Sequence, residues 1–209
     1  MKIPDETIFG HDNKNSNIDF RFVRTIKEDD AKIDILQLRL KKYFENQVEP
    51  LVKANSAFPL TVLTCLGIET LGEIFFEKSI FDSAKRFTNA CFELDPIFKP
   101  KPSKQTLQKM NEVWSSDKMK GVKSIAHVVH NFLRNAMIHG YSAQAIYLSY
   151  EDTQNFLENK EYGIFVINPN WFWDRYKYGS DKLFNMAKSK TNHKQKRKCC
   201  LEYFNKLID

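Results

Sequence analysis

The chain has 209 residues, of which 42% are hydrophobic and 28% charged, and its formal net charge is +6. This balance excludes an intrinsically disordered chain and provides enough apolar surface for the core of one globular unit. The sequence has neither an apolar run near the roughly 20 residues of a membrane span nor the apolar stretch of a secretory signal, which predicts a soluble cytoplasmic protein that binds no membrane.

The N-terminal part of the chain is polar until its first helix. We expect residues 1–19 to be a loose terminus, with residues 20–23 as a candidate short strand. Thr25 and Glu28 match a capping box, which predicts that a helix follows them. Apolar residues then recur at helical spacing toward Leu51, and Pro50 is expected to kink or end this helix.

Three further helices are predicted before the middle of the chain. The first starts within residues 56–59, and the second covers residues 81–94 and ends at Asp95-Pro96. Ser103 can cap a third, shorter helix. The clearest helix follows at about residues 117–139, with Asp117 as its cap and Gly140 as its terminator. Its apolar stripe recurs at i, i+3, i+4, i+7, i+8 and i+11, and consists of Ile125, Val128, Val129, Phe132, Leu133 and Ala136.

The last third of the chain mixes strands and helices. Residues 145–150 and 162–167 are predicted to form two short strands joined by a polar connection that can hold a helical turn. Asn168-Pro169 should start a helix, and a basic stretch at residues 188–198 should separate it from a last helix near residues 201–207. The fold class is therefore mainly α: an antiparallel helical bundle with a small two-stranded β appendage and C-terminal helices. We divide this single globular unit into residues 1–24, 25–141 and 142–209.

The residue types do not suggest a metal or a cofactor. The four cysteines form no CxxC pair, and the five histidines are scattered. Cys199 and Cys200 are adjacent, which is a poor geometry for a disulfide or a chelate. We expect no metal site and no cofactor.

The strongest candidates for catalytic residues are Arg134, Asn135 and His139, at the end of the clearest helix. A guanidinium is planar and always charged, which suits a phosphate, whereas an imidazole titrates near neutral pH and can move a proton. Asn135 can orient either the imidazole or a phosphate. These are the parts needed to cleave a phosphodiester without a metal. The alternative is that Arg134 is a solvated helix charge, and that His139 is a C-terminal residue favoured by the helix dipole.

The segment FLRNAMIHGY resembles the signature of the HEPN superfamily: an arginine, a polar residue, a few mostly apolar positions and a histidine near the end of a core helix. The upstream stretch GIETLGEIFFEKSIFDSAKRF is also similar to early helices of such proteins, and the resemblance covers about residues 28–141. It implies a helical bundle that pairs as a homodimer, with both motifs lining one cleft.

The same resemblance implies a function. Many HEPN proteins are metal-independent endoribonucleases of toxin–antitoxin, phage-defence and CRISPR systems. By analogy, the ribose 2′-hydroxyl attacks the neighbouring phosphate, His139 acts as general base or acid, Arg134 stabilises the developing charge and Asn135 holds the geometry. RNA, a second copy of the chain and an antitoxin or other regulatory protein are then the expected partners. The alternative is a non-catalytic HEPN-like module for dimerisation or for binding a ligand or RNA.

Two other groups of charged residues could contribute to such a site. Glu69, Glu73 and Glu77 form an acidic row at i, i+4 and i+8, which predicts a solvated face; alternatively, one of them pairs with Arg134 or His139. Four cations of the run at residues 188–198 are candidate RNA-phosphate contacts, although a solvated linker is the simpler interpretation. These are Lys194, Lys196, Arg197 and Lys198.

Three further features have a simple interpretation and a functional alternative. Arg86 is expected to be a surface charge, with a phosphate contact as the alternative. His127 and His130 lie on the polar side of the helical wheel and are expected to face solvent. The aromatic residues between Trp171 and Tyr178 are expected in the core or in a dimer contact, with base stacking as the alternative.

Overall fold

In the computed structural model, the chain is mainly helical and has two small sheets. The structure describes residues 3–12, 14, 16–114, 119, 121–140, 145–151 and 155–209, without the side chains of residues 138–140. The aromatic-rich core includes the buried rings of Phe75, Phe87, Phe132, Trp173 and Phe184. The predicted fold class, mainly α with a small β part, is confirmed.

Residues 8–11 and 17–25 form two strands and a helix, which corrects the prediction of a loose terminus. Strands β1 (Ile8–His11) and β2 (Asn17–Asp19) pair antiparallel. The predicted strand at residues 20–23 is wrong, because these residues belong to helix α1 (Phe20–Thr25). The Asp19 carboxylate caps this helix by accepting from the backbone N–H of Phe22 at 2.8 Å. Helical spacing then places Phe20 and Val23 in the core.

The first long helical region differs from its prediction at both ends. Thr25 does not form a capping box, since its hydroxyl donates to the carbonyl of Phe22 in the preceding helix. Helix α2 (Asp29–Leu38) continues through a π-helical segment (Arg39–Glu45) into α3 (Asn46–Lys53). Pro50 lies inside α3 and does not end it.

The next helices follow their sequence signals closely. They are α4 (Ala57–Phe75), α5 (Ser83–Leu94), a 3₁₀ turn (Pro96–Phe98) and α6 (Lys104–Val113). The side chains of Asp82 and Ser103 cap α5 and α6. By length and composition alone α4 could cross a membrane, which corrects the expectation that no apolar run is long enough. More than half of its apolar window is buried, however, as in the core helix of a soluble protein.

The motif helix, residues 125–140, starts later than predicted and changes its winding. It consists of α7 (Ile125–Val128), a π-helical segment (Val129–Arg134) and α8 (Asn135–Gly140). Ser124 caps it, whereas the predicted cap Asp117 lies outside the described residues. Phe132 and Leu133 are fully buried, as predicted.

The π-helical segment shifts the buried face of the motif helix. A regular α-helix would continue the apolar stripe at Ala136, but Ala136 is only half-buried and Met137 is buried in its place. Because π-helical hydrogen bonds join residues five apart, each turn holds more residues than an α turn. The face directed at the core therefore moves along the sequence by one residue.

The β appendage has three strands, not two. Its strands are β3 (Ile146–Leu148), β4 (Phe156–Asn159) and β5 (Ile164–Ile167), in the order β3-β5-β4. The two predicted strands, β3 and β5, pair parallel, and β4 pairs antiparallel with β5. Strand β4 was not predicted, because it lies in the polar connection for which a helical turn was the expected structure.

Two C-terminal helices complete the core. Helix α9 (Pro169–Lys188) starts at Asn168, whose side chain accepts from the N–H groups of Asn170 and Trp171. It packs against α4 and α5 and buries Phe172, Trp173 and Tyr176. Helix α10 (Lys194–Ile208) packs against α9 and α4. Most of the basic run therefore lies in a helix, and the predicted linker is wrong for this part.

Candidate functional site

Arg134 ends the π-helical segment and is held by a carboxylate of α4. Its Nη2 atom lies 2.6 and 2.7 Å from the two carboxylate oxygens of Glu69, and its Nε lies 3.3 Å from Oε2. The side chain of Arg134 is 20% exposed and that of Glu69 is 27% exposed. The alternative interpretation of Arg134 as a solvated helix charge is therefore wrong, because this ion pair fixes the guanidinium against the bundle.

Asn135 holds the other arm of the same guanidinium. Its Oδ1 atom accepts from Nη1 of Arg134 at 2.8 Å. Nη1 carries a second hydrogen, which no group of the described residues accepts. Arg134 is thus oriented by two neighbours, and the described residues leave this second hydrogen of Nη1 for a ligand.

His139 follows Arg134 by five positions, and its backbone lies in α8. Its side chain lies outside the described residues. The contact between the imidazole and Arg134 or Asn135 therefore stays a prediction.

The acidic row, with Glu69 and Glu73 on α4 and Glu77 just after its end, forms specific contacts, which corrects the prediction of a solvated face. Glu69 pairs with Arg134, which was the alternative. Glu73 lies 3.7 Å from Nη2 of Arg86 and 3.4 Å from Nζ of Lys78. Glu77 accepts from the amide of Gln195 at 2.6 Å. Glu69 and Glu73 thus connect α4 to the motif helix and to α5, whereas Glu77 connects the segment after α4 to α10.

Arg86 and Arg197, two of the candidate phosphate contacts, are engaged within the protein. The side chain of Arg86 is 11% exposed, and its Nη1 donates to the carbonyl of Phe81 at 2.7 Å. The side chain of Arg197 is 16% exposed, and its Nη1 lies 2.7 Å from a carboxylate oxygen of Asp30. A ligand would have to displace these contacts to reach either guanidinium.

The three candidate lysines of α10 differ in their surroundings. Lys196 lies over the ring of Phe76, 3.1 Å from its centroid, and burial lowers its pKa to about 8. Lys194 and Lys198 are exposed, and Lys198 lies 3.7 Å from Glu202. Of the four cations in this group, Lys194 and Lys198 are therefore the ones most accessible to a ligand.

A groove between α5 and the motif helix was not anticipated from the sequence. It has a volume of about 500 Å³, and its walls include Lys85, Lys123, His127 and His130. The two histidines were expected to face solvent, but both are half-buried. Burial is the main reason that the pKa of each lies below its ordinary value. The only signal in the sequence was the spacing of three residues between them.

The described part of the chain has no group of three or more His, Cys, Asp or Glu side chains that could hold a metal ion. No family model, curated protein or solved structure matches this chain. Its function must therefore be inferred from its own residues.

Proposed function

We propose that the chain is a cytoplasmic, metal-independent endoribonuclease of the HEPN type, which acts on single-stranded RNA as a homodimer. The observation that carries this proposal is the fixed orientation of Arg134 near the end of a core helix, five residues before His139. A pre-oriented guanidinium loses little freedom when it meets the charge that develops on a phosphate. The resemblance of FLRNAMIHGY to the HEPN signature supplies the role of the histidine.

The proposed reaction breaks one bond and forms another at phosphorus. The ribose 2′-oxygen attacks the adjacent phosphate while His139 takes its proton, and the bond from phosphorus to the 5′-oxygen breaks. The leaving oxygen receives a proton from an imidazolium, for which a second His139 in the dimer is the candidate. Arg134 donates to a non-bridging oxygen, and Asn135 and Glu69 hold the guanidinium in place. The products are a 2′,3′-cyclic phosphate and a 5′-hydroxyl.

Cleavage of single-stranded RNA in excess EDTA tests this mechanism. We expect products with those two termini, and we expect Arg134→Ala and His139→Ala each to remove most of the activity. Arg134→Lys should rescue little, because a point charge does not replace a planar donor. Lys27→Ala is the matched control, since this lysine is exposed and lies in neither the motif helix nor α4. Cleavage that requires magnesium, or that survives both alanine changes, would falsify the mechanism.

The dimer and the biological role are tested separately. A composite site requires a two-fold interface that brings both motif helices to one cleft. Light scattering at micromolar concentration should therefore report a dimer, and a stable monomer would contradict this part. A toxin or defence effector should arrest growth on expression, and His139→Ala should abolish the arrest. An antitoxin-like regulatory protein is then the expected partner.

One observation favours the alternative, a non-catalytic HEPN-like module that dimerises or binds a ligand or RNA. The Glu69 carboxylate neutralises Arg134, so that a phosphate must compete for the guanidinium. Glu69→Gln separates the two functions, because it releases the charge while it keeps the shape of the side chain. If RNA binds to the wild type without cleavage, and Glu69→Gln strengthens binding but produces no cleavage, the binding module is the correct function.

A further inference from the structure

The groove between α5 and the motif helix has the chemistry of an anion site. Lys85 and Lys123 are both exposed, and no carboxylate lies within ion-pair distance of either of them among the described residues. The carboxylate in the wall belongs to Asp82, which already accepts from the N–H of Lys85 as the cap of α5. The groove has a volume of about 500 Å³, which lies within the range of small-molecule sites.

The two histidines present different hydrogen-bonding groups to this groove. Nδ1 of His127 lies 2.7 Å from the hydroxyl of Ser124, which can donate to it. The hydrogen of a neutral His127 is then on Nε2, where it can be donated to a ligand. Nδ1 of His130 lies 2.9 Å from Oδ1 of Asn131, which only accepts, so that Nε2 of a neutral His130 is itself an acceptor. His130 therefore becomes a second donor to an anion only when it is protonated.

The groove also lies along the same helix as the arginine of the motif. His130, in the wall of the groove, lies four positions before Arg134 in this helix. A chain of phosphates that passes Arg134 can therefore continue along the motif helix toward His130 and Lys123. The half-buried amide of Asn89 on the opposite wall can bind the polar edge of a base.

We propose that this groove binds the phosphates of the RNA nucleotides next to the cleaved bond, with Lys85, Lys123 and His127 as donors and His130 as a donor once protonated. This inference rests on the proposed ribonuclease function for its ligand. It assigns the histidines a binding role, whereas the reacting atoms stay with Arg134 and His139. The groove is then the part of the site that holds the strand in register.

Binding of a non-cleavable strand tests the groove without any need for catalysis. The probe is a 2′-O-methyl oligonucleotide, which lacks the attacking hydroxyl, with about eight nucleotides, within the usual range of single-strand sites. Each phosphate contact contributes about 0.7 to the slope of log K against log salt. The double variant Lys85→Gln/Lys123→Gln should therefore lower this slope by about 1.4. The control Lys27→Gln/Lys53→Gln removes two exposed lysines outside the groove and should leave the slope unchanged.

A second measurement uses the histidines as probes. A bound phosphate stabilises protonated His130, so its NMR-measured pKa should rise when the oligonucleotide is added. The other charged groups that act on the pair are Lys123, Arg134, Glu69 and Asp82, and they are the same in both samples. The His130→Gln variant identifies the resonance.

The outcomes separate this inference from the proposed function. A lower slope together with a raised His130 pKa supports the groove even if no RNA is cleaved, in which case only the ribonuclease proposal fails. Cleavage by the wild type with equal slopes in the groove and control variants overturns the groove alone. No binding of the oligonucleotide, or binding that leaves the resonances of both histidines unmoved, also overturns it.

Discussion

Replacing Arg134 with alanine should destabilise the fold as well as remove a catalytic group. The substitution leaves Glu69, only 27% exposed, without its partner. Breaking a fully buried ion pair costs about 3–5 kcal/mol, whereas an exposed pair contributes about 0–1 kcal/mol. A pair that is 20% and 27% exposed lies between these limits, at about 1–3 kcal/mol. For a chain of this size, that loss lowers Tm by roughly 3–9 °C.

A double-mutant cycle measured by urea unfolding isolates the energy of this pair. The cycle combines Arg134→Ala with Glu69→Gln, and we expect a coupling free energy of about 1–2 kcal/mol. The matched control is the pair Arg21–Glu6, whose side chains are 64% and 74% exposed, for which the coupling should stay below about 1 kcal/mol. Effects of the two substitutions that add to within about 0.5 kcal/mol would refute the reasoning. Because the alanine variant is less stable, its RNA cleavage must be measured well below its Tm.

Three further predictions concern stability away from the motif. Burial raises the pKa of Glu45 from 4.5 to about 7, so the free energy of unfolding falls as pH rises between these values. Glu45→Gln should remove this fall and raise the free energy of unfolding at pH 8 by about 1–2 kcal/mol, a range that allows for the partial exposure of Glu45. Urea unfolding at several pH values measures both effects. Gly179→Ala places a Cβ 2.9 Å from Cα of Leu94 and should lower the unfolding free energy by about 1–3 kcal/mol, while an unchanged Tm would contradict that contact. Asn168→Ala removes the cap of α9 and should cost about 1 kcal/mol, whereas Asn168→Asp should retain most of it.

Local signals in the sequence predicted the elements whose ends depend on neighbouring residues. Ser103 and Asn168 cap their helices as expected, because capping joins a side chain to N–H groups two or three residues away. The basic run was misinterpreted because charge alone suggested a linker. Its lysines and arginine are good helix formers, and the helix has a buried face that includes Cys200 and Phe204.

Non-local features could not be predicted in the same way. The helical wheel assumes a constant winding, so it placed Ala136 inside, and the π-helical segment changes that result. The pairing of Arg134 with Glu69 joins residues 65 positions apart and depends on how two helices pack. The sequence could offer this pair only as an alternative. The groove likewise forms only because α5 lies beside the motif helix, and no local pattern in the sequence predicts that packing.

Helix α4 has a consequence for how the chain is made. This apolar helix is synthesised well before α9 and α10, which cover part of it in the finished fold. A nascent or truncated chain that ends before Asn168 therefore exposes apolar surface of α4, and such surface favours aggregation. The helical bundle and the C-terminal helices should thus be expressed together, and a shortened fragment that carries only the motif helix and its predecessors should be recovered mainly from inclusion bodies.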